Sequence, residues 1–179
     1  MAMPAAMRRW TLGDLDRLPD DGNKHEVVRG QLFVTPAPAP RHEMILQCLT
    51  AILSPCVGAQ SLGAVYHPRA VVRFEDSEVE PDLMVRSQPE TVDTPWEARP
   101  VPLLVVEAVS GTTRRRDFGD KRDFYRDVNV SEYWIVDADA RRIHVVRGMD
   151  DVSVVGDEMH WHPAAASEPL TFAIDQLFS

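Results

Sequence analysis

Short runs of β-branched, aromatic and other apolar residues recur along most of the chain, and glycine, proline or charged residues bound each run. This pattern is typical of strands. Arg29 and Gly30 separate two such runs, which predicts a tight hairpin in which Gly30 takes a positive φ. The predicted strands cover residues 25–28, 31–34, 64–67, 70–74, 79–85, 103–109, 132–136, 142–147, 152–155 and 159–162. We expect the last two strands to pair as an edge hairpin.

Four other segments favour helices. Thr11 and Asp14 resemble a capping box at the start of a short helix that ends at Pro19. Apolar residues from Arg41 to about Leu53 recur on one helical face, which predicts a helix packed on the sheet. The other two predicted helices cover residues 114–128, after a turn at 111–113, and residues 174–178. Strands and helices in this order predict an α/β (α+β) fold.

The composition fits one globular domain that spans residues 1–179. Hydrophobic residues make up 44% and charged residues 26% of the chain, close to the averages for globular proteins. No apolar run approaches the ~20 residues that cross a bilayer, and residues 1–9 lack the apolar stretch of a secretory signal. We therefore predict a cytoplasmic protein that does not span a membrane.

The charge of the chain limits how it could bind nucleic acid. A formal net charge of −9 argues against a protein that coats nucleic acid, because such binding depends on neutralising phosphates. Any contact with DNA must then be local. One basic patch within 13 positions offers such a contact and contains Arg114, Arg115, Arg116, Lys121, Arg122 and Arg126.

Two carboxylates interrupt runs that are otherwise apolar. Residues 103–109 are apolar at both odd and even positions, which predicts a strand covered on both faces. This run nevertheless contains Glu107. Asp82 follows Pro81 in another apolar run. Two buried carboxylates that face each other repel unless a cation lies between them. Oxygen ligands of this kind suit Mg²⁺ or Mn²⁺ better than zinc.

A lysine lies at the centre of an apolar helical face. That face consists of Phe118, Lys121, Phe124, Tyr125 and Val128. The ammonium of Lys121 either reaches a buried anion, such as Glu107 or a bound phosphate, or snorkels to the surface. A purely structural salt bridge to Glu107 is a further alternative, and Asp82 alone could be a strand-end carboxylate that accepts backbone N–H groups. Together the three misplaced charges favour a metal site.

These features resemble a known family. They are similar to the Uma-two family of restriction-endonuclease-like proteins, in the PD-(D/E)XK nuclease superfamily, and the resemblance covers most of the chain. Taken jointly, the motifs are specific to this family, although none is specific by itself. The segments that carry the resemblance are His25–Leu32, Pro36–His42, Pro81–Asp82, Val105–Ser110, Thr113–Lys121 with Tyr125, and Glu132–Asp137.

The resemblance implies a restriction-endonuclease-like fold, in which a mixed β-sheet is flanked by helices. It implies that Asp82 and Glu107 bind the metal and that the backbone carbonyl of Ala108 adds a ligand. The usual lysine of the superfamily lies two residues after the acidic residue, where this chain has Val109. Family members place that lysine in the following helix, so Lys121 takes its role by resemblance.

The resemblance also implies an activity. The chain would be a Mg²⁺- or Mn²⁺-dependent endonuclease that hydrolyses phosphodiester bonds in DNA, with Glu26 as an accessory acid near the metal. His42 would contact a phosphate or a water, and Arg114, Arg115 and Arg116 would hold the nucleic-acid backbone. A homodimer is left open, since nucleases that cut both strands commonly work as dimers.

Two alternative functions use the same residues. A domain that keeps the fold but binds nucleic acid or a protein partner without catalysis agrees with the acidic net charge. A glycosidase with Asp82 and Glu107 as acid and base would need its carboxylates apart in an open sugar cleft. The chain lacks the clustered exposed aromatic residues expected in such a cleft, so the nuclease and the silent binding domain are the two hypotheses kept.

Overall fold

The computed structural model of the protein describes residues 8–88, 91–109, 111, 113–148 and 151–179. Residues 1–7, which include most of the N-terminal segment discussed above, and Ser110 and Thr112, which belong to the predicted motif and turn, lie outside this part. The helices are α1 (Leu12–Leu15), α2 (Pro40–Ala59), α3 (Arg114–Phe118) and α4 (Asp120–Asp127), with short 3₁₀ helices at Trp96–Ala98 and Ile174–Phe178. The strands are β1 (Lys24–Val28), β2 (Gln31–Thr35), β3 (Ala64–Tyr66), β4 (Val72–Phe74), β5 (Ser77–Val79), β6 (Leu83–Arg86), β7 (Leu104–Val109), β8 (Glu132–Asp137), β9 (Arg142–Arg147), β10 (Asp151–Val155), β11 (Glu158–Trp161) and β12 (Leu170–Ala173).

A six-stranded mixed sheet forms the centre of the molecule. Its strand order is β10-β9-β8-β7-β6-β3, and the neighbouring strands are antiparallel except for β7 and β8, which are parallel. A four-stranded sheet of order β2-β1-β5-β4 and the antiparallel pair β11-β12 accompany it. The predicted mixed sheet is therefore confirmed, and β7 lies inside it between two other strands.

The six-stranded sheet is covered on both faces, as the apolar run of β7 predicts. On one face, Val106 packs in a core with Leu49 of α2. On the other face, Val105 packs in a second core with Phe124 of α4 and Val28 of the four-stranded sheet. Side chains alternate between the faces of a strand. The side chain of Glu107 therefore points into the second core, between α4 and the four-stranded sheet.

The predicted strand 79–85 is wrong as a single element. The structure divides it into β5, which belongs to the four-stranded sheet, and β6, which belongs to the six-stranded sheet. Pro81 lies between them and lacks the N–H that a strand ladder needs. As a result, Glu80, Pro81 and Asp82 form the crossing between the two sheets, and Asp82 stands immediately before β6 rather than within a strand.

The predicted helix 114–128 is also wrong as a continuous element. It is divided at Gly119, whose φ of −114° and ψ of −97° are not helical. The predicted apolar face survives in α4, where Lys121, Phe124 and Tyr125 are buried. The break separates the arginine-rich α3 from the helix that carries Lys121.

Two further predictions need correction. The helix predicted from Arg41 to about Leu53 continues past Pro55 to Ala59, and Val57 extends its buried face. The predicted hairpin of 152–155 with 159–162 does not form, because β10 pairs with β9 whereas β11 pairs with β12. None of the described helices is long and apolar enough to span a bilayer.

Gly63 fixes the chain where it enters β3, beside the end of β6. Its φ is +128°, and an added Cβ would lie 2.1 Å from the carbonyl oxygen of Arg86 and 2.6 Å from the Cα of Ser87. We expect Gly63→Ala to lower the free energy of unfolding by about 1–3 kcal/mol, because both the backbone strain and the clash must be relieved. Gly58→Ala in α2 is the matched control, since its Cβ would meet nothing within 4 Å. The control should stabilise by up to about 1 kcal/mol, and urea denaturation of both variants measures the difference.

Candidate active site

Asp82 and Glu107 line one cleft of about 940 Å³. Ala108 lines the same cleft, together with residues of α2 and of the segment after β2. The register of β6 and β7 pairs Leu83 with Val106, so Asp82 and Glu107 lie next to each other where the two strands meet. The structure thus brings together the two carboxylates that sequence analysis singled out.

Asp82 is almost completely engaged by its surroundings. Its Oδ1 accepts a hydrogen bond of 2.6 Å from the Nζ of Lys24, and its Oδ2 accepts one of 2.9 Å from the backbone N–H of Ala108. The Nε2 of His42 lies 3.4 Å from the same Oδ2. Burial by itself would raise the pKa of Asp82, but Lys24, His42 and Lys121 outweigh burial and lower the pKa to about 2. Asp82 is therefore a carboxylate at neutral pH.

Glu107 has the opposite electrostatic environment. Its Oε1 accepts hydrogen bonds from the Nζ of Lys121 at 2.7 Å and from the hydroxyl of Tyr125 at 2.8 Å. Burial, with a contribution from nearby Asp82, raises the pKa of Glu107 to about 8, although Lys121 acts in the other direction. Two adjacent carboxylates thus have pKa values on opposite sides of neutral pH, which is the pattern of many functional carboxylate pairs.

Lys121 is 0% exposed, so the snorkelling alternative is wrong. Its Nζ lies 2.7 Å from Glu107 and 2.9 Å from the Oε1 of Glu26. Burial would lower the pKa of Lys121, but Glu107 and Glu26 outweigh burial and raise it. The lysine therefore stays charged between two buried carboxylates, as α4 geometry predicts.

Glu26 of β1 closes the site from the four-stranded sheet. Its Oε1 also accepts the backbone N–H of Glu80 at 3.0 Å, and Arg116 approaches its Oε2 to 3.5 Å. Burial would raise the pKa of Glu26, but Lys121, Lys24 and Arg116 lower it. Glu26 thus lies near Glu107, because the two carboxyl groups share Lys121, and its role as an accessory acid stays a prediction.

The three arginines of α3 and His42, which were predicted to contact nucleic acid, differ in exposure and in their partners. Arg114 is ion-paired with Asp137, whereas Arg116 points inward and its Nη1 donates to the Thr35 hydroxyl at 2.8 Å. Arg115 is exposed. His42 lines the cleft beside Asp82. Arg116 thus belongs to the buried site rather than to an open basic surface.

Sequence reasoning missed Lys24 and Asp117. Lys24 begins β1 and binds Asp82, while the buried Asp117 of α3 lies 4.0 Å from the Nζ of Lys121. The sequence does contain a signal for Lys24, because Lys24 and Lys121 are the two lysines among its 19 basic residues. Arginine occupies the other 17 positions, so a lysine marks a place where a compact ammonium is needed.

The donor set fits a small, hard cation. Asp82 and Glu107 offer carboxylate oxygens to the cleft, and the Oε2 of Glu26 and the Oδ1 of Asp117 are buried without a hydrogen-bond partner. Across the described residues, no group of three or more His, Cys, Asp and Glu side chains is arranged to hold a metal ion. Mg²⁺ is commonly bound by one or two carboxylates and several waters, so two carboxylates and the carbonyl of Ala108 fit it better than zinc.

Comparisons with known proteins agree with this architecture. The family model described as "Uma2: Putative restriction endonuclease" matches residues 12–172. A crystal structure of "a putative nuclease belonging to DUF820" from Anabaena variabilis aligns with a TM-score of 0.80 at 20% sequence identity, over 94% of this chain and 97% of that chain. At this identity the likeness shows the fold, and it confirms the predicted restriction-endonuclease-like architecture. A comparison with curated proteins gives no match.

Proposed function

The chain belongs to the Uma2 family of restriction-endonuclease-like proteins, and from this we propose that it is a metal-dependent endonuclease acting on DNA. One observation carries the proposal. Asp82 and Glu107 lie side by side at the floor of a cleft, and the fully buried Lys121 binds Glu107 at 2.7 Å. A structural protein gains little from two buried acids beside a buried lysine, because desolvating them costs more than a well-packed apolar cluster.

The cation would be held by Asp82, Glu107 and the carbonyl of Ala108. When bound, Mg²⁺ or Mn²⁺ supplies a Lewis acid for the scissile phosphate and lowers the pKa of an attacking water. Glu107 and Ala108 come from β7 of the central sheet, and Asp82 comes from the crossing that precedes β6, so regular secondary structure sets their positions.

The side chains around Glu107 have distinct parts in the reaction. Lys121 stays charged and points at the carboxylate, from where its ammonium orients the attacking water or stabilises charge that develops on the phosphate. Tyr125 donates its hydroxyl to Glu107 and fixes the rotamer of that carboxylate. Glu26 holds Lys121 from the other side. Tyr125 and Glu26 are therefore positioning residues.

DNA would be held by contacts at the edge of the cleft, since the net charge of −9 does not favour broad binding. The side chain of Arg69 is 60% exposed and lines the cleft, and Arg115 is exposed on α3. His42, whose Nε2 lies 3.4 Å from Asp82, would contact a phosphate bound beside that carboxylate. A homodimer and a cytoplasmic location stay predictions.

A second candidate function is a catalytically silent domain that binds nucleic acid or a protein. The observation that favours it is the engagement of Asp82, both of whose oxygens are bound within the protein, by Lys24 and by the N–H of Ala108. In such a domain the ion pairs would be structural, and no metal would enter the site.

The two candidates are separated by a cleavage assay and a titration. The chain is incubated with single-stranded, double-stranded and branched DNA in Mg²⁺ or Mn²⁺, beside an Asp82→Asn and Glu107→Gln double variant. A nuclease should cleave at least one substrate and lose that activity in the double variant and in EDTA. Cleavage no greater than that of the double variant, together with no calorimetric binding of either metal at millimolar concentration, would establish the silent domain instead.

A further inference from the structure

Lys24 is a cation inside the site for which the proposed reaction has no use. Its side chain is 15% exposed, and its Nζ donates to Asp82 at 2.6 Å and to the carbonyl oxygen of Glu80 at 3.0 Å. Lys24 lines the cleft together with Asp82 and Glu107. It is also one of the two lysines of the chain, and the other is Lys121.

Lys24 binds a carboxylate oxygen of Asp82 that a metal ion would also use. The Oδ1 of Asp82 is bound to Lys24, and its Oδ2 is bound to Ala108 and approached by His42 at 3.4 Å. A divalent cation that binds Asp82 must share an oxygen with one of these donors or displace it. The backbone N–H of Ala108 is fixed in β7, whereas a lysine side chain is flexible and can withdraw.

We propose that Lys24 is an internal counter-cation that occupies Asp82 in the metal-free protein and competes with the divalent metal for it. The inference rests on the proposed metal site. Lys24 neutralises the buried carboxylate of Asp82 when no metal is bound, which offsets the cost of burying that charge. When the metal binds, the Lys24 ammonium leaves Oδ1 and turns toward the open cleft, where phosphate oxygens of the substrate can receive it.

Lys24 and Lys121 therefore have different parts. Lys121 is 0% exposed and is held by carboxylates from two strands, Glu26 and Glu107. Lys24 holds one carboxylate and reaches the cleft. Lys121 is therefore fixed in place, whereas Lys24 can exchange Asp82 for another anion in the cleft.

Calorimetric titration with Mn²⁺ and Mg²⁺ tests the competition. Lys24→Met keeps much of the side-chain length and removes the charge, so we expect the metal to bind about tenfold tighter or more, equivalent to about 1.4 kcal/mol. Lys24→Arg keeps the charge and should not tighten binding. Arg73→Met is the matched control, because Arg73 forms a partly buried ion pair with Glu78 at 2.5 Å in β4 and β5 and does not line the cleft.

A spectroscopic measurement on the unaltered protein gives an independent readout. Labelling with [¹⁵N]lysine yields two side-chain ammonium signals, and the Lys24→Met variant assigns them by the loss of one. We expect Mg²⁺ to shift or broaden the Lys24 signal in a saturable manner. The variant serves only for the assignment, and the response to Mg²⁺ is measured on the unaltered protein.

The outcomes separate this inference from the proposed function. If the unaltered protein binds metal but Lys24→Met binds no tighter, or if the Lys24 signal does not change at saturating Mg²⁺, the competition is wrong and the metal site stands. If neither the unaltered protein nor Lys24→Met binds metal, the metal dependence and the competition both fail. Tighter binding in Lys24→Met with no change in Arg73→Met supports both.

Discussion

Replacement of Lys121 by methionine is expected to lower the free energy of unfolding of the metal-free protein by about 3–5 kcal/mol, the cost of leaving a buried charge without its partner. Lys121 is the ammonium that Glu26 and Glu107 share, at 2.9 and 2.7 Å. These two carboxylates are 0% and 2% exposed. Without the lysine, Glu26 stays buried but loses its nearest counter-charge, and Glu107 avoids repulsion with Glu26 only by keeping its proton.

The effect of Lys121→Met should grow with pH. Burial already raises the pKa of Glu107 from 4.5 to about 8, and loss of the lysine raises it further. Between the unfolded value and the higher folded value, the folded state binds more protons than the unfolded state, so stability falls as pH rises. We therefore expect a larger difference from the unaltered protein at pH 8.5 than at pH 6, measured by urea denaturation in EDTA at both values.

A double-mutant cycle distinguishes this electrostatic cause from lost packing. Adding Glu107→Gln to Lys121→Met removes the acid whose ionisation the missing lysine no longer balances, so at pH 8.5 the double variant should be more stable than Lys121→Met alone. Coupled residues in one ion-pair network typically show interaction energies of about 0.5–3 kcal/mol. Additive effects of the two substitutions would falsify the assignment of Lys121 as the shared counter-ion.

Trp134→Ala is expected to lower the free energy of unfolding by about 3–5 kcal/mol for a different reason, the removal of a large core side chain. Trp134 of β8 is 0% exposed and packs against Trp161 and Phe172. Its Nε1 donates to the Oε1 of Glu132 at 2.6 Å. The substitution leaves a cavity in the core under α2 and also removes this donor.

The control for this position is Trp134→Phe, which keeps an aromatic ring in the same core and should cost clearly less. Trp134 is in the core that contains α2, whereas Lys121 and Glu107 face the opposite side of the central sheet. We therefore expect Trp134→Ala, below its melting temperature, to bind metal and cleave DNA like the unaltered protein. If a denaturant titration shows that Trp134→Ala lowers the free energy of unfolding by less than about 1 kcal/mol, Trp134 does not have this central place in the core.

The sequence determined which strands are buried and which side chains are out of place. Residues 103–109 are apolar at both parities, and the structure buries β7 on both faces. Helical spacing placed Lys121 on the inner face of α4, and Thr11 with Asp14 forms the predicted capping box. These features are local, because they follow from the period of a strand, the period of a helix and the hydrogen bonds of one turn.

Other features could not be predicted, because they depend on which strands become neighbours. Pro81 marks a break in the run 79–85, but the local pattern does not show that β5 and β6 belong to different sheets or that Asp82 lies in the crossing between them. In the same way, β10 and β11 looked like a hairpin but pair with different partners. Strand pairing is set by packing over the whole chain, and a short apolar run carries little information about it.

The same distinction applies to the candidate site. From the sequence alone, Asp82, Glu107 and Lys121 could be recognised because each is a charge in an apolar setting. Lys24 could not be recognised in this way, since it begins β1 in a polar surrounding and acquires its meaning only when the sheets bring it within 2.6 Å of Asp82. Charge in an apolar run is visible one residue at a time, whereas an ion pair 58 positions apart exists only in the tertiary structure.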